Sequence, residues 1–252
     1  MSLLEIRNIR KHFGGILALN DISFNIEEGE TKGVIGPNGA GKTTLFNTIS
    51  GIYRSDSGQI IFRGQRIEKL KSHKISSLGI ARTFQLSRIY PGMSVLEHVM
   101  VGYHSRMKTG VLEAWVGSRR LKREEMTARE KAFEALRITG LEESATKLAT
   151  DLSAPEQRAL ELAQALVVEP RLVILDEPAA GLSPQERKTL IELILTIRQQ
   201  GKAILLVEHD MGVVMPVSDE VVVLNFGKII AQGTPIQIQQ DRNVIVAYLG
   251  GD

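Results

Sequence analysis

The sequence of 252 residues has no cysteine, which excludes disulfide staples, cysteine-ligated zinc and thiol nucleophiles. It has no apolar run near the ~18 residues needed to span a bilayer. Its longest candidates, residues 172–175 and 221–224, suit buried strands. The opening MSLLEIRNIRKHF carries charges where a secretory signal would place an apolar block. Charge of one sign is also scarce: 31 Lys and Arg oppose 29 Asp and Glu, so there is no overall basic excess to grip nucleic acid, and none is expected as a partner. What remains is 43% hydrophobic and 24% charged, a globular balance that excludes wholesale disorder. The length fits one large domain or two small ones. The expectation is a soluble cytoplasmic α/β protein.

The first third reads as short strands, residues 4–7, 22–26 and 59–63, punctuated by Gly14-Gly15, Glu28-Gly29 and Asp56-Ser57-Gly58. The last third alternates apolar runs at 172–175 and 203–207 with a helical stretch after Pro184, the pattern of buried parallel strands with crossover helices. Between them, residues 86–168 are charged and helical in period, with Met126, Phe133 and Leu136 recurring at helical spacing. Residues 103–123 hold six basic side chains (Arg106, Lys108, Arg119, Arg120, Lys122, Arg123) against Glu113 alone. That segment reads as a solvated arm, or as a dock near a membrane surface or acidic partner, with Trp115 a weak hint of the second.

Residues 34–44, VIGPNGAGKTT, place G-x-x-x-x-G-K-[ST] after an apolar strand and before a helix expected over 44–50. Gly36 and Gly41 permit backbone shapes that a Cβ would obstruct, so the amides of Pro37's successors Asn38, Gly39 and Ala40 can face an anion. The helix that follows adds its free N–H groups, through Thr44, and its positive dipole end. In this arrangement Lys42 reaches the β- and γ-phosphates and the Thr43 hydroxyl ligates Mg²⁺.

Residues 172–177 end four apolar positions in Asp176-Glu177, at the carboxyl end of a buried strand where open α/β sheets bind ligands. Asp176 is the candidate to hold Mg²⁺ through water. Glu177 is the candidate to polarise an attacking water. Lys42 and Asp176 stand much further apart than a compact crossover needs, so the charged helical region reads as an insertion. Neither N-K-x-D nor D-x-x-G occurs, which favours ATP over a guanine nucleotide.

With these motifs in this order, the chain resembles the nucleotide-binding subunit of an ABC transporter along essentially its whole length. The resemblance implies a P-loop (RecA-like) α/β ATPase core with an N-terminal antiparallel β-subdomain and an inserted helical subdomain. The divisions expected are 1–85, 86–168 carrying the signature loop, and 169–252 with the C-terminal segment. It also implies roles: Phe13 stacks on adenine, Gln85 contacts Mg²⁺ and water and senses the membrane partner, and His209 contacts the γ-phosphate. His12, His73, His98 and His104 show no metal-ligand spacing. In the family the signature loop reaches the other subunit's ATP, a contact that falls to Ser153 within residues 151–158. Here the pattern departs, with Pro155 at a usual glycine and Glu156 at a usual glutamine. Proline offers no N–H, so a trans phosphate contact is weakened, while Ser153-x-x-Glu156 reads as a capping box with Pro155 tolerated in the first turn. Ser183 replaces the Asp that often ends the family's next loop.

Three strings resemble the larger ATP-binding subunit of branched-chain amino-acid importers: Phe13-Gly14-Gly15 with Ala18-Leu19, residues 79–85, and residues 227–235. Urea or amide importers and the lipopolysaccharide export ATPase are the nearest alternatives. The resemblance implies two such subunits sandwiching two ATP molecules, with permease subunits and, indirectly, a substrate-binding protein as partners, at the cytoplasmic face of the membrane. A nucleotide-binding regulatory module with weak hydrolysis, favoured by Pro155, and a soluble ATPase of translation or repair are the readings from other classes. The second would pair two ATPase units or carry long coiled insertions.

Overall fold

The computed structural model describes residues 2–83, 89–106 and 119–249. The chain runs through β1 (Ser2–Phe13), β2 (Ile16–Glu27), β3 (Thr31–Ile35), α1 (Lys42–Ile49), β4 (Ser57–Phe62), β5 (Gln65–Arg66), α2 (Ser72–Leu78) and β6 (Ile80–Arg82). Among the described residues the helices α3 (Val95–Tyr103), α4 (Arg119–Ile138) and α5 (Ala154–Leu166) follow. The last part comprises β7 (Leu172–Asp176), α6 (Pro184–Gln199), β8 (Ala203–Val207), α7 (Met211–Val217), β9 (Glu220–Asn225), β10 (Lys228–Gly233), α8 (Pro235–Gln240) and α9 (Arg242–Leu249). It folds as two compact units, Met1–Arg82 with Arg171–Asp252, and Thr83–Pro170.

The first unit holds two sheets. One is antiparallel, in the order β2-β1-β4-β5. Strands β1 and β2 are 12 residues each, longer than the short runs the sequence displays. Their pairing shifts register several times, so no clean alternation marks their full extent. The other sheet has the order β10-β9-β3-β8-β7-β6, parallel except for the β9–β10 hairpin. Strands β3, β7 and β8 are buried at every position, which is why β7 and β8 read as continuous apolar runs. Register brings their carboxyl ends level: Val34 pairs with Val207, and Val207 with Asp176. The phosphate loop, the acidic pair and the segment after β8 therefore leave one edge of one sheet.

A hydrophobic cluster joins the sheets and α1, with Ile6, Ile60, Phe46, Ile49, Ile174 and Val222 among its buried members. Each such side chain contributes roughly 1.5–3 kcal/mol by leaving water. α1 begins at Lys42, two residues before the expected start, because Gly41 turns into the helix at φ 104°.

The second unit is helical. In α4, Ala128, Ala132, Ala135 and Leu136 are buried on one face, while Met126 is exposed. Gly102 of α3 lies so close to α5 that a Cβ would come within 2.7 Å of the Gln164 carbonyl oxygen. His98 is buried and its ring is engaged by Gln164 Nε2, 2.6 Å from Nδ1, and by the Tyr90 N–H at 3.3 Å from Nε2. That is a structural histidine. Lys108, Glu113 and Trp115 of the basic segment lie outside the described residues.

Candidate functional site

The phosphate loop is held open by contacts made through its backbone. The Ala40 N–H donates to the Pro37 carbonyl at 3.1 Å, and the Gly227 N–H donates to the Ala40 carbonyl at 2.9 Å. Gly36 is packed so tightly on Leu224 that a Cβ there would collide with its carbonyl oxygen. At Gly41 a Cβ would stand 2.7 Å from the Ala18 carbonyl oxygen. By contrast Gly39, at φ 80°, has open space around it. Gly36 and Gly41 permit close approach, and Gly39 and Gly41 permit left-handed turns.

The Lys42 ammonium donates to the carbonyls of Gly36 at 2.6 Å and Pro37 at 3.1 Å. Burial pushes its pKa below the usual lysine value, while Glu177, Glu208 and Asp176 pull it back up. Thr43 is exposed and Thr44 half-buried on the first turn of α1. Asn38, Gly39, Ala40, Gly41, Lys42, Thr43 and Thr44 line a cavity of about 340 Å³ together with Glu177, Ile16, Leu17, Ala18, Phe226 and Gly227. The structure thereby brings the loop and the second carboxylate of the acidic pair into one cleft.

Asp176 has a fully buried carboxylate. Its Oδ2 accepts from Arg82 Nη2 at 3.1 Å, and its Oδ1 has no hydrogen-bond partner among the described residues. Burial raises its pKa, with Arg82 opposing that rise. An uncompensated buried carboxylate oxygen is costly, and this one fits a hydrated magnesium ion, which takes one or two protein oxygens and otherwise water and phosphate. Glu177 stands at φ 46°, a conformation rare for a side chain of its size. Its N–H donates to the Val207 carbonyl at 2.8 Å, so β8 holds the turn that presents it.

His209 is exposed, immediately after Glu208, which is completely buried. Glu208 Oε1 accepts from the Ala179 N–H at 2.7 Å and Oε2 from the His209 N–H at 3.1 Å. Burial raises the Glu208 pKa, and those amides moderate the rise. A carboxylate that reads in sequence as the polar end of a strand thus ties the segment after Glu177 to the one bearing His209.

Phe13 is not among the cavity-lining residues. Its ring meets Tyr53 edge-on at 5.1 Å, with Lys11 Nζ 5.3 Å from its centroid. The exposed aromatic at the cavity is Phe226, at φ 44° in the β9–β10 turn. Sequence reading missed it because a lone aromatic before Gly227 looks like any hairpin tip. Gln85 lies outside the described residues. In the helical unit, the Ser153 hydroxyl donates to Glu156 Oε2 at 2.6 Å and its N–H to the same oxygen at 2.8 Å, the local bond expected of a capping pair.

A strand, a glycine-rich loop gripping a buried lysine, and a carboxylate pair at the level of the next strands define a P-loop nucleotide-hydrolysing cassette. The chain belongs to the ABC transporter family, whose model matches residues 19–180. A second model, of a branched-chain amino acid ATP-binding cassette transporter, matches residues 228–252. The chain is 41% identical over 249 residues, 98% of each chain, to the high-affinity branched-chain amino acid transport ATP-binding protein LivG of Escherichia coli K12. It has the same identity and coverage with BraF of Pseudomonas aeruginosa, which bears the same description. Among solved structures it is similar to the ADP conformation of an ATP-binding cassette of an ABC transporter, at 30% identity, full coverage of both chains and a TM-score of 0.87.

Gly36→Ala should cost about 1–3 kcal/mol from overpacking against Leu224, and Gly39→Ala only about 1–2 kcal/mol from the left-handed backbone. Urea unfolding midpoints of the nucleotide-free proteins check the order.

Proposed function

We propose that this chain is the ATP-hydrolysing subunit of an importer of branched-chain amino acids. The observation that carries the catalytic part is the shared cleft of Lys42, Thr43 and Glu177, beside a buried Asp176 with one oxygen unpaired among the described residues. The transport part is supported by the names of the end-to-end relatives and by the match of the C-terminal segment. Nothing in the described residues reads the amino acid itself.

In this reading the amides of residues 38–44 and the Lys42 ammonium bind the phosphates. Lys42 exchanges its two carbonyl acceptors for phosphate oxygens, so its position is set before ligand arrives. Thr43, Asp176 and Gln85 are the residues that would hold Mg²⁺, which when bound would neutralise charge on the phosphate oxygens. Glu177 accepts the proton of the attacking water and His209 holds the γ-phosphate. Phe13 stacks on adenine as its edge contact with Tyr53 is adjusted. Ser153 faces the γ-phosphate of a second subunit's ATP across a dimer. Closure of that dimer drives the permease subunits, to which a substrate-binding protein delivers cargo, with this chain peripheral on the cytoplasmic face. Among the described residues no helix is long and apolar enough to cross a membrane.

Glu177→Gln should lower hydrolysis by roughly 10²–10⁴-fold, the range for loss of a general base, while ATP binding persists and ATP now holds the chain as a dimer in size-exclusion chromatography. Wild-type turnover per chain should fall on dilution below the association range. A fully active dilute monomer contradicts the sandwich.

Pro155 removes one backbone donor in the first turn of α5, and donors of this kind are worth ~10²–10³ in rate at other active sites. Pro155→Gly should therefore raise phosphate release in matched assemblies. Equal or lower turnover counts against a trans contact at that position. Co-purification of permease subunits from native membranes tests the transport assignment directly.

A further inference from the structure

Arg82 ends the three-residue strand β6 and its guanidinium is largely buried. Nη2 donates to Asp176 Oδ2 at 3.1 Å. Nη1 donates to Asn47 Oδ1 at 2.7 Å and to Ser50 Oγ at 3.0 Å. The guanidinium carbon lies 4.5 Å from the Phe46 ring centroid, over its face. Ser50 Oγ is itself fixed as an acceptor by donating to the Phe46 carbonyl at 2.9 Å. Thr43, Asn47 and Ser50 succeed one another at spacings of four and three, the same side of α1. One planar cation thus bridges the end of β7 to the helix face that carries Thr43.

The geometry points to Arg82 as a positioning residue for magnesium: it occupies one oxygen of Asp176, leaves the other for the ion's water shell, and ties the strand end bearing Asp176 to the helix face bearing Thr43. The inference rests on the reading of Asp176 as a magnesium contact. Arginine suits the task because its fork serves two directions at once, which a lysine ammonium does with less geometric control. Partners that orient a metal's ligands typically matter by 10–100-fold in metal affinity.

The test is equilibrium binding of ATP to the full chain, titrated with MgCl₂ or held in EDTA, with folding followed by circular dichroism. Arg82→Met should raise the half-saturating Mg²⁺ concentration by about tenfold or more, with ATP affinity in EDTA unchanged. Arg82→Lys should lie between the two. The double variant Arg82→Met/Asp176→Asn should match Asp176→Asn alone, because a residue acting through another is non-additive with it. If Arg82→Met does not fold, Asn47→Ala/Ser50→Ala removes the anchors without touching Asp176, and should shift the Mg²⁺ titration in the same direction by less. Wild-type Mg²⁺ dependence in Arg82→Met or, failing that, in the anchor variant overturns the inference, as does an additive double variant or equal loss of ATP affinity with and without magnesium. If Asp176→Asn itself leaves the Mg²⁺ dependence intact, the underlying reading of Asp176 falls instead.

Discussion

The buried ammonium of Lys42 is the interaction on which the site depends. It lies against two carbonyls of its own loop, in a place where burial disfavours its charge. Three acids, from two strand ends, compensate it. Two of these acids, Asp176 and Glu208, are themselves pushed towards neutrality by burial. The cluster therefore holds mutually dependent charges, and an incoming polyphosphate meets an arrangement whose cation is already aimed. Positioning set in advance by the fold reduces what binding a highly charged ligand must cost, since Lys42 has only to exchange two carbonyl acceptors for phosphate oxygens.

Most of this could be read in the sequence where the chemistry is local. The phosphate loop announces itself by glycine spacing between an apolar strand and a helix, and Asp176-Glu177 by an apolar run that stops abruptly. Arg82 and Glu208 could not be read. Each is a single charged residue beside a strand end, and its meaning comes from partners 94 and 29 positions away. Likewise β1 and β2 are long because bulges accommodate their irregular pattern, which period-two reasoning registers as several short pieces. Phe226 shows a third kind of failure. A turn's sequence tells how the chain reverses, and only the tertiary fold tells what the turn leans on.

Pro155 gains a context from the rest of the chain. Ser183 with Glu186 and Thr234 with Gln237 start α6 and α8 with proline in the first turn, as Ser153 with Glu156 starts α5. Proline there sets φ and omits a donor that the helix does not itself use. What is harmless at Pro184 and Pro235 would be a missing contact at Pro155 only under the proposed reading in which the start of α5 meets a phosphate. The same local device has a different cost according to what stands in front of it.

The clasp of the β9–β10 turn on the phosphate loop bears on the order in which the protein is made. Gly227 donates to Ala40 and accepts from the Asn20 N–H at 2.7 Å, so residues from both ends of the chain close around a loop translated early. A polypeptide that ends with β8 carries the phosphate loop and the acidic pair but lacks both His209 and the β9–β10 turn that walls the cleft. The cleft is complete only once contacts of such long sequence separation have formed, and these are the slow ones to make.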